Sequence, residues 1–220
     1  KYNRNSILYQ YMNIEFYNTL SGKKEKFVPL GRGFFGLFGK PTVGMYHCGP
    51  TVYNYAHIGN LRAYVFADTL RRLFETLGYN VKQVINITDV GHLTNDSLTG
   101  EDKLEKARIR EHKSAWDIAE FYTQAFFHDL ADLNVNTIGT KFPRATKYIK
   151  EQIKIIKTLE EKGFTYRISD GIYFDTKKFP SYGKLGNIDL NGIREGERIG
   201  INKEKKNPTD FVLWKFSPID

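Results

Sequence analysis

The clearest pattern of apolar and polar positions lies between residues 43 and 88. Val43 to His47 reads as a short strand that runs into Cys48. Over residues 59–77, Ala63, Phe66, Leu70, Leu73, Phe74 and Leu77 recur on one face of a helix, and Gly78 supplies the left-handed cap that ends it. Val81 to Thr88 follows as a second strand, with Val84, Ile85 and Ile87 nearly continuous, as in a strand buried on both faces. Strand, helix and strand within roughly forty residues predict a right-handed crossover and hence a parallel pair. Ligands of such sheets bind beyond the carboxyl ends of the strands, which places Cys48, Gly49, Asn86 and Thr88 around one site.

The rest of the chain is read from turn and cap signals. Residues 31–42 are glycine-rich and predict a surface loop, because no Gly-Lys-Ser/Thr ending marks a phosphate loop. Residues 91–100 predict another loop, and Glu101 to His112 a charged helix. Ser114 with Asp117 resembles a capping box opening a helix through Leu133, with Ala119, Tyr122, Phe126 and Leu130 on one face. Pro143 suits the first turn of a further helix that Gly163 closes. A hairpin is predicted from Phe164–Ile168, a turn at Ser169-Asp170-Gly171, and Ile172–Asp175. The last 45 residues read as irregular, apart from a strand-like run at Phe211–Trp214. The fold class is therefore α/β, with a Rossmann-like parallel sheet.

With 220 residues and 40% hydrophobic content, the chain is large enough for one big domain or two small ones, and too apolar for disorder. It has no run of 18 apolar residues and no apparent signal peptide, so no membrane contact is expected. A single cysteine excludes an internal disulfide and fits a reducing cytoplasm. The formal charge of +8 favours polyanions such as RNA, although Lys147, Lys150, Lys154 and Lys157 also fit a solvated helix face. Met12 has the look of a natural start, and the abrupt end at Asp220 that of a fragment.

Candidate chemistry gathers at the first strand–helix junction. His57 near a helix start reads as a cap or core residue, or as a donor to a phosphate oxygen while charge builds on an α-phosphate. Gly59 lets a ligand approach the backbone, and Asn60 adds a neutral donor. Cys48 reads either as a small buried hydrophobe or as a thiolate ligand for zinc, yet scattered histidines such as His47 and His92 do not complete a metal site. Asn86, Thr88 and Asp89 offer hydrogen-bonding side chains for a turn, a cap or a small polar substrate. Tyr53 and Tyr55 flank the loop as packing residues.

Four motifs in order, Cys-Gly-Pro-Thr-Val-Tyr (48–53), His-Ile-Gly-Asn (57–60), Asn-Ile-Thr-Asp (86–89) and Asp-Phe-Val-Leu-Trp-Lys (210–215), resemble the cysteinyl-tRNA synthetases, a class I family. Tyr-Phe-Asp (173–175) and Phe-Pro-Ser-Tyr-Gly-Lys-Leu (179–185) look like that family's connective insertion. The resemblance implies a first half of a Rossmann-like catalytic domain at 12–98. Residues 99–220 would then hold an inserted α+β connective subdomain and the start of the second half. It implies ATP-dependent activation of cysteine, with Mg2+ accompanying ATP, and transfer to tRNA(Cys). Cys48 is implied as a Zn2+ ligand, and Gly49 and Thr88 as contacts to the substrate cysteine. His57, Gly59, Asn60 and Thr51 are implied at ATP, with His57 and Asn60 catalytic. A cytoplasmic monomer is expected.

Three departures qualify the resemblance. Asn60 stands where the family signature has a second His, residues 91–100 look longer than the usual link, and the chain stops before the remaining zinc ligands, the Lys-Met-Ser-Lys-Ser loop and the anticodon-binding helices. The 220 residues alone are therefore expected to bind zinc weakly and to show little aminoacylation. Two other readings stay open: a ligase joining cysteine to an amino sugar, and a non-catalytic RNA-binding fragment of a synthetase.

Overall fold

The computed structural model describes residues 14–29, 41–90, 114–186 and 202–216. The predicted Glu101–His112 helix, the 91–100 loop and most of the glycine-rich 31–42 segment lie outside the described residues. The chain divides into two compact units. The first holds residues 1–17, 24–92 and 103–147, and the second residues 18–23, 93–102 and 148–220.

A short hairpin that the sequence reading missed comes first: β1 (Glu15–Asn18) and β2 (Lys23–Lys26), turned at Gly22 with φ of 68°. Strand β3 (Thr42–His47) then pairs in parallel with β4 (Asn80–Ile85), in a register running from Thr42 opposite Asn80 to His47 opposite Ile85. Helix α1 (Ile58–Thr76) connects them, which bears out the strand–helix–strand unit. Gly78, with φ of 84°, ends the helix as expected, its N–H reaching the Glu75 carbonyl. Regular pairing of β4 stops at Ile85 rather than Thr88, and Ile87 and Thr88 continue only as isolated parallel bridges to Arg144 and Thr51.

The inward face of α1 differs from the expected one. Ala63, Phe66 and Leu73 are exposed, Phe66 by 70%, whereas Tyr64, Ala67, Asp68, Arg71 and Phe74 are buried. The physical reason is Arg71. Its guanidinium donates to the Asn136 and Ile138 carbonyls at 2.9 and 2.7 Å, to the Thr140 hydroxyl at 2.9 Å, and to Glu75 at 2.7 Å. Asp68 accepts from the Asn136 N–H at 2.9 Å. Two charged side chains are thus admitted to the interior because residues 136–140, together with Glu75 and Arg72 of the same helix and Gln83 of β4, supply their partners.

Helix α2 (Ala115–Asp132) begins at Ser114, whose hydroxyl accepts from the Asp117 N–H, and buries Ala119, Tyr122, Phe126 and Leu130 as read from the sequence. These join Val52, Tyr64, Ile85, Ile87 and Ile118 in one apolar cluster. Val43, Met45 and Phe74 form a second, against which Ile14, Phe16 and Phe27 pack.

In the second unit, α3 (Ile149–Glu161) follows a 3-10 turn at Ala145–Tyr148, so the helix starts well after Pro143, while Gly163 closes it with φ of 74°. Lys150, Lys154 and Lys157 lie on its exposed surface. The hairpin forms from β5 (Thr165–Ile168) and β6 (Gly171–Phe174). Gly171 belongs to the strand and not to the turn, paired with Ile168 and Lys215, and a Cβ there would sit 2.5 Å from the Trp214 carbonyl oxygen. The run at 211–214 becomes β7 (Phe211–Lys215), the third strand beside β6. Asp210 anchors it. Burial pushes this carboxyl up, but hydrogen bonds from the Thr176 N–H and hydroxyl, the Tyr166 hydroxyl and Asn207 outweigh that and hold it below the ordinary value.

Candidate active site

The loop leaving β3 lies along the end of β4. Cys48 is exposed and free as a thiol. Gly49 passes so close to β4 that a Cβ would meet the Asn86 carbonyl oxygen at 1.4 Å, and only glycine fits. The Gly49 N–H donates to Asn86 Oδ1 at 2.8 Å, the Thr88 N–H to the Pro50 carbonyl at 3.0 Å, and the Val52 N–H to the Thr88 carbonyl at 3.2 Å. Thr51 and Thr88 form a parallel bridge. Of the residues expected from the sequence, Cys48, Gly49, Thr51, Asn86 and Thr88 therefore do converge on the strand ends.

Asn86, expected as a turn residue or a substrate contact, has its amide engaged by neighbouring protein groups. Oδ1 also accepts from the Tyr46 hydroxyl at 3.1 Å, and Nδ2 donates to Thr88 Oγ1 at 2.9 Å. Asp89, 6% exposed, accepts from the Thr146 N–H and hydroxyl at 2.9 and 2.6 Å, which ties the end of this segment to the chain before α3.

The second cluster is the start of α1, reached through residues 52–56. His57 is the N-cap: its Nδ1 accepts from the Gly59 N–H at 3.0 Å, and Asn60 Oδ1 accepts from the His57 N–H at 3.2 Å, a reciprocal capping box. The N–H groups of Asn60 and Leu61 both reach the His57 carbonyl. The N–H groups of Gly59, Asn60 and Leu61 are thus already paired. A neutral imidazole that accepts at Nδ1 carries its proton on Nε2. The side-chain donors this turn can offer an anion are His57 Nε2–H and the Asn60 amide. Gly59 acquires a second reason: a Cβ there would lie 2.9 Å from His57 Cε1, so its absence makes room for the ring as well as for a ligand.

Around these clusters, Tyr55 meets Phe121 and Tyr122 edge-on at 6.0 and 5.1 Å, consistent with packing. Burial, and then the charge of nearby Cys48, push the Tyr64 phenol up to about 12. Burial lowers the pKa of His47, whose Nε2 is enclosed with no hydrogen-bond partner among the described residues. Cys48 is a soft donor of the kind zinc favours. However, among the described residues no group of three His, Cys, Asp or Glu side chains is placed to hold a metal ion. One candidate ligand among the described residues does not make a zinc site.

Residues 35–219 match the family described as tRNA synthetases class I (C) catalytic domain. The chain is 49% identical over 203 residues to the cysteine–tRNA ligase of Treponema denticola, covering 92% of this chain and 39% of that protein. It is 49% identical to cysteine–tRNA ligase 1 of Burkholderia lata and 48% to the cysteine–tRNA ligase of Zymomonas mobilis, covering 42% and 38% of them. The chain thus spans about two-fifths of the length of these relatives. Among solved structures, the arginyl-tRNA synthetase of Plasmodium falciparum overlaps 63% of this chain and 30% of its own at 16% identity, with a TM-score of 0.40.

Proposed function

Because this chain belongs to the family of class I tRNA synthetase (C) catalytic domains, we propose that the protein carrying it is a cysteine–tRNA ligase. In this reading ATP, cysteine and tRNA(Cys) are its substrates. A carboxylate oxygen of cysteine attacks the α-phosphorus of ATP. The bond to the bridging oxygen breaks and pyrophosphate leaves; a hydroxyl of the terminal adenosine of the tRNA then attacks the acyl carbon of cysteinyl-adenylate, and AMP leaves.

The observation that carries the proposal is one loop that joins an exposed thiol at the end of β3 to the capped start of α1. Cys48 and Gly49 border the amino-acid end, with Thr88 beside them. Thr51, His57, Gly59 and Asn60 border the nucleotide end. His57 donates from Nε2 to an α-phosphate oxygen as negative charge grows there, a role for which a preoriented donor is well suited. Asn60 assists from Nδ2, its Oδ1 being held by the His57 N–H. Were zinc bound, it would supply a soft acid for the substrate thiol, with Cys48 as one ligand. No helix among the described residues is long and apolar enough to cross a membrane.

The test is cysteine-dependent exchange of pyrophosphate into ATP, followed by charging of tRNA(Cys), with the protein carrying this chain. Exchange with cysteine and acylation of tRNA are expected. Exchange with cysteine but acylation of an amino sugar instead of tRNA would replace the reading with the amino-sugar ligase. No exchange at all would leave only an RNA-binding role. The relatives named above are all cysteine–tRNA ligases, which favours the tRNA substrate.

A further inference from the structure

Tyr64 stands about two turns beyond His57 on α1, on the face of the helix that also carries His57 and Asn60. It is 5% exposed, and its ring packs with Val52 of the loop that leaves β3 and with Ile85 and Ile87 at the end of β4. Phe126 meets the ring edge-on at 5.0 Å. A buried tyrosine hydroxyl normally finds a partner inside the protein. Those of Tyr166 and Tyr173 donate to Asp210 at 2.8 Å and to Asp170 at 3.2 Å. The Tyr64 hydroxyl has no hydrogen bond among the described residues. Nor is it sealed in: the fully enclosed polar atoms without a partner are His47 Nε2 and Asp170 Oδ1, and the Tyr64 oxygen is not one of them. Burial, and then the charge of Cys48, push this phenol up, so its oxygen lies near the exposed thiol and stays protonated. No hydrogen bond joins the two.

We propose that the Tyr64 hydroxyl oxygen accepts a hydrogen bond from the ammonium group of the bound amino acid. This rests on the reading above that Cys48 and Gly49 border that amino acid. Of its three polar groups, the ammonium is the one left for Tyr64. The thiol is turned toward Cys48, and the carboxylate must point to the nucleotide end to attack ATP. The ammonium brings three N–H donors and no acceptor, and each donor that gives up water on binding needs an oxygen in its place. The phenol supplies one. Its ring is held by the apolar cluster, so the bond also fixes where the α-carbon sits, and with it the line of attack of the carboxylate.

The experiment compares the protein carrying this chain with its Tyr64→Phe variant, which deletes one oxygen and keeps the buried ring. Pyrophosphate exchange gives KM for cysteine and for ATP. β-Mercaptopropionate, which is cysteine without its ammonium group, serves as a competitive inhibitor. In Tyr64→Phe the cysteine KM is expected to rise about 10-fold, the scale of one lost hydrogen bond to a charged group, while the ATP KM stays within about twofold. The inhibition constant of β-mercaptopropionate is expected to agree within about twofold between the two proteins, because this molecule never made the bond. An unchanged cysteine KM overturns the proposal. So does an inhibition constant that rises together with the cysteine KM, since the hydroxyl would then meet the thiol or the carboxylate, or merely hold the pocket together. Should Tyr64→Phe not fold, the wild-type protein decides. β-Mercaptopropionate binding at least about 10-fold more weakly than cysteine supports recognition of the ammonium, and equal binding overturns it. Absence of cysteine-dependent exchange in the wild-type protein is a different result and counts against the proposed function.

Discussion

His57 has two uses in this structure, and a pair of substitutions separates them. Its Nδ1 caps α1 by accepting from the Gly59 N–H at 3.0 Å, and its Nε2–H is the donor proposed for ATP. His57→Ala removes both. Loss of the cap costs about 1 kcal/mol, which corresponds to a fall in melting temperature of roughly 2–4 °C for a domain of this size. Loss of one preoriented donor to the transition state costs about 100- to 1,000-fold in rate. His57→Asn restores the first and not the second. Asparagine is among the best N-caps, so its oxygen can take over the Gly59 N–H and return the melting temperature to within about 1 °C of wild type. Its short amide cannot reach where the far side of an imidazole reaches, so pyrophosphate exchange stays about 100-fold down. Thermal melts beside exchange rates for the three proteins make the comparison. If His57→Asn recovered the exchange rate together with the melting temperature, His57 would be a cap and nothing more.

Three other outcomes follow from the geometry. Gly49→Ala would place a Cβ at 1.4 Å from the Asn86 carbonyl oxygen. It should destabilise the protein by about 2–4 kcal/mol, read from the urea midpoint, and an unshifted midpoint would contradict the close approach. Arg71→Met leaves the Asn136 and Ile138 carbonyls without their guanidinium donor. A loss of about 3 kcal/mol is expected, with faster amide exchange across residues 136–140, whereas unchanged exchange there would show that the loop holds itself. His47 has its pKa lowered by burial from the ordinary 6.5, so the unfolded chain takes up a proton that the folded chain resists. Its contribution is therefore neutral above about pH 7 and turns destabilising as pH falls through 6.5. His47→Leu should flatten the loss of melting temperature between pH 7 and pH 5.5, and an identical pH profile would remove His47 as its source.

The strand–helix–strand unit was legible because its signals are local: an apolar run, a helical period and a glycine at a left-handed cap. The Ser114 cap and the buried side of α2 were legible for the same reason. The face of α1 was not. Its buried stripe contains Asp68 and Arg71, and several of the partners that make their burial tolerable come from a loop 65 or more residues away in sequence. The β1–β2 hairpin was missed because Lys23–Lys26 is exposed along its length and carries no apolar alternation. At the site, the residue types were readable and their division of labour was not. Asn86 meets Gly49 across 37 positions, and nothing in the neighbourhood of either residue announces that contact.

Asn60 shows how the same local chemistry bears on rate. The cysteinyl-tRNA synthetase signature resembled at residues 57–60 has a second histidine at this position, which can carry positive charge to a phosphate. An asparagine cannot, but it serves the N-cap in a way an imidazole does less well. Its two amide atoms sit at the same reach, so Oδ1 can accept from the His57 N–H at 3.2 Å while Nδ2 remains a donor. An imidazole that accepted that bond through one nitrogen would have to be neutral, because a protonated ring has no acceptor. Position 60 therefore faces a choice between closing the capping box and delivering a cation, and this chain closes the box. In the proposed function, the charge that builds on ATP then falls to His57 Nε2 and to cations from outside this turn. That is why the His57→Asn rate, rather than any substitution at Asn60, is the sharper measure of what the turn does.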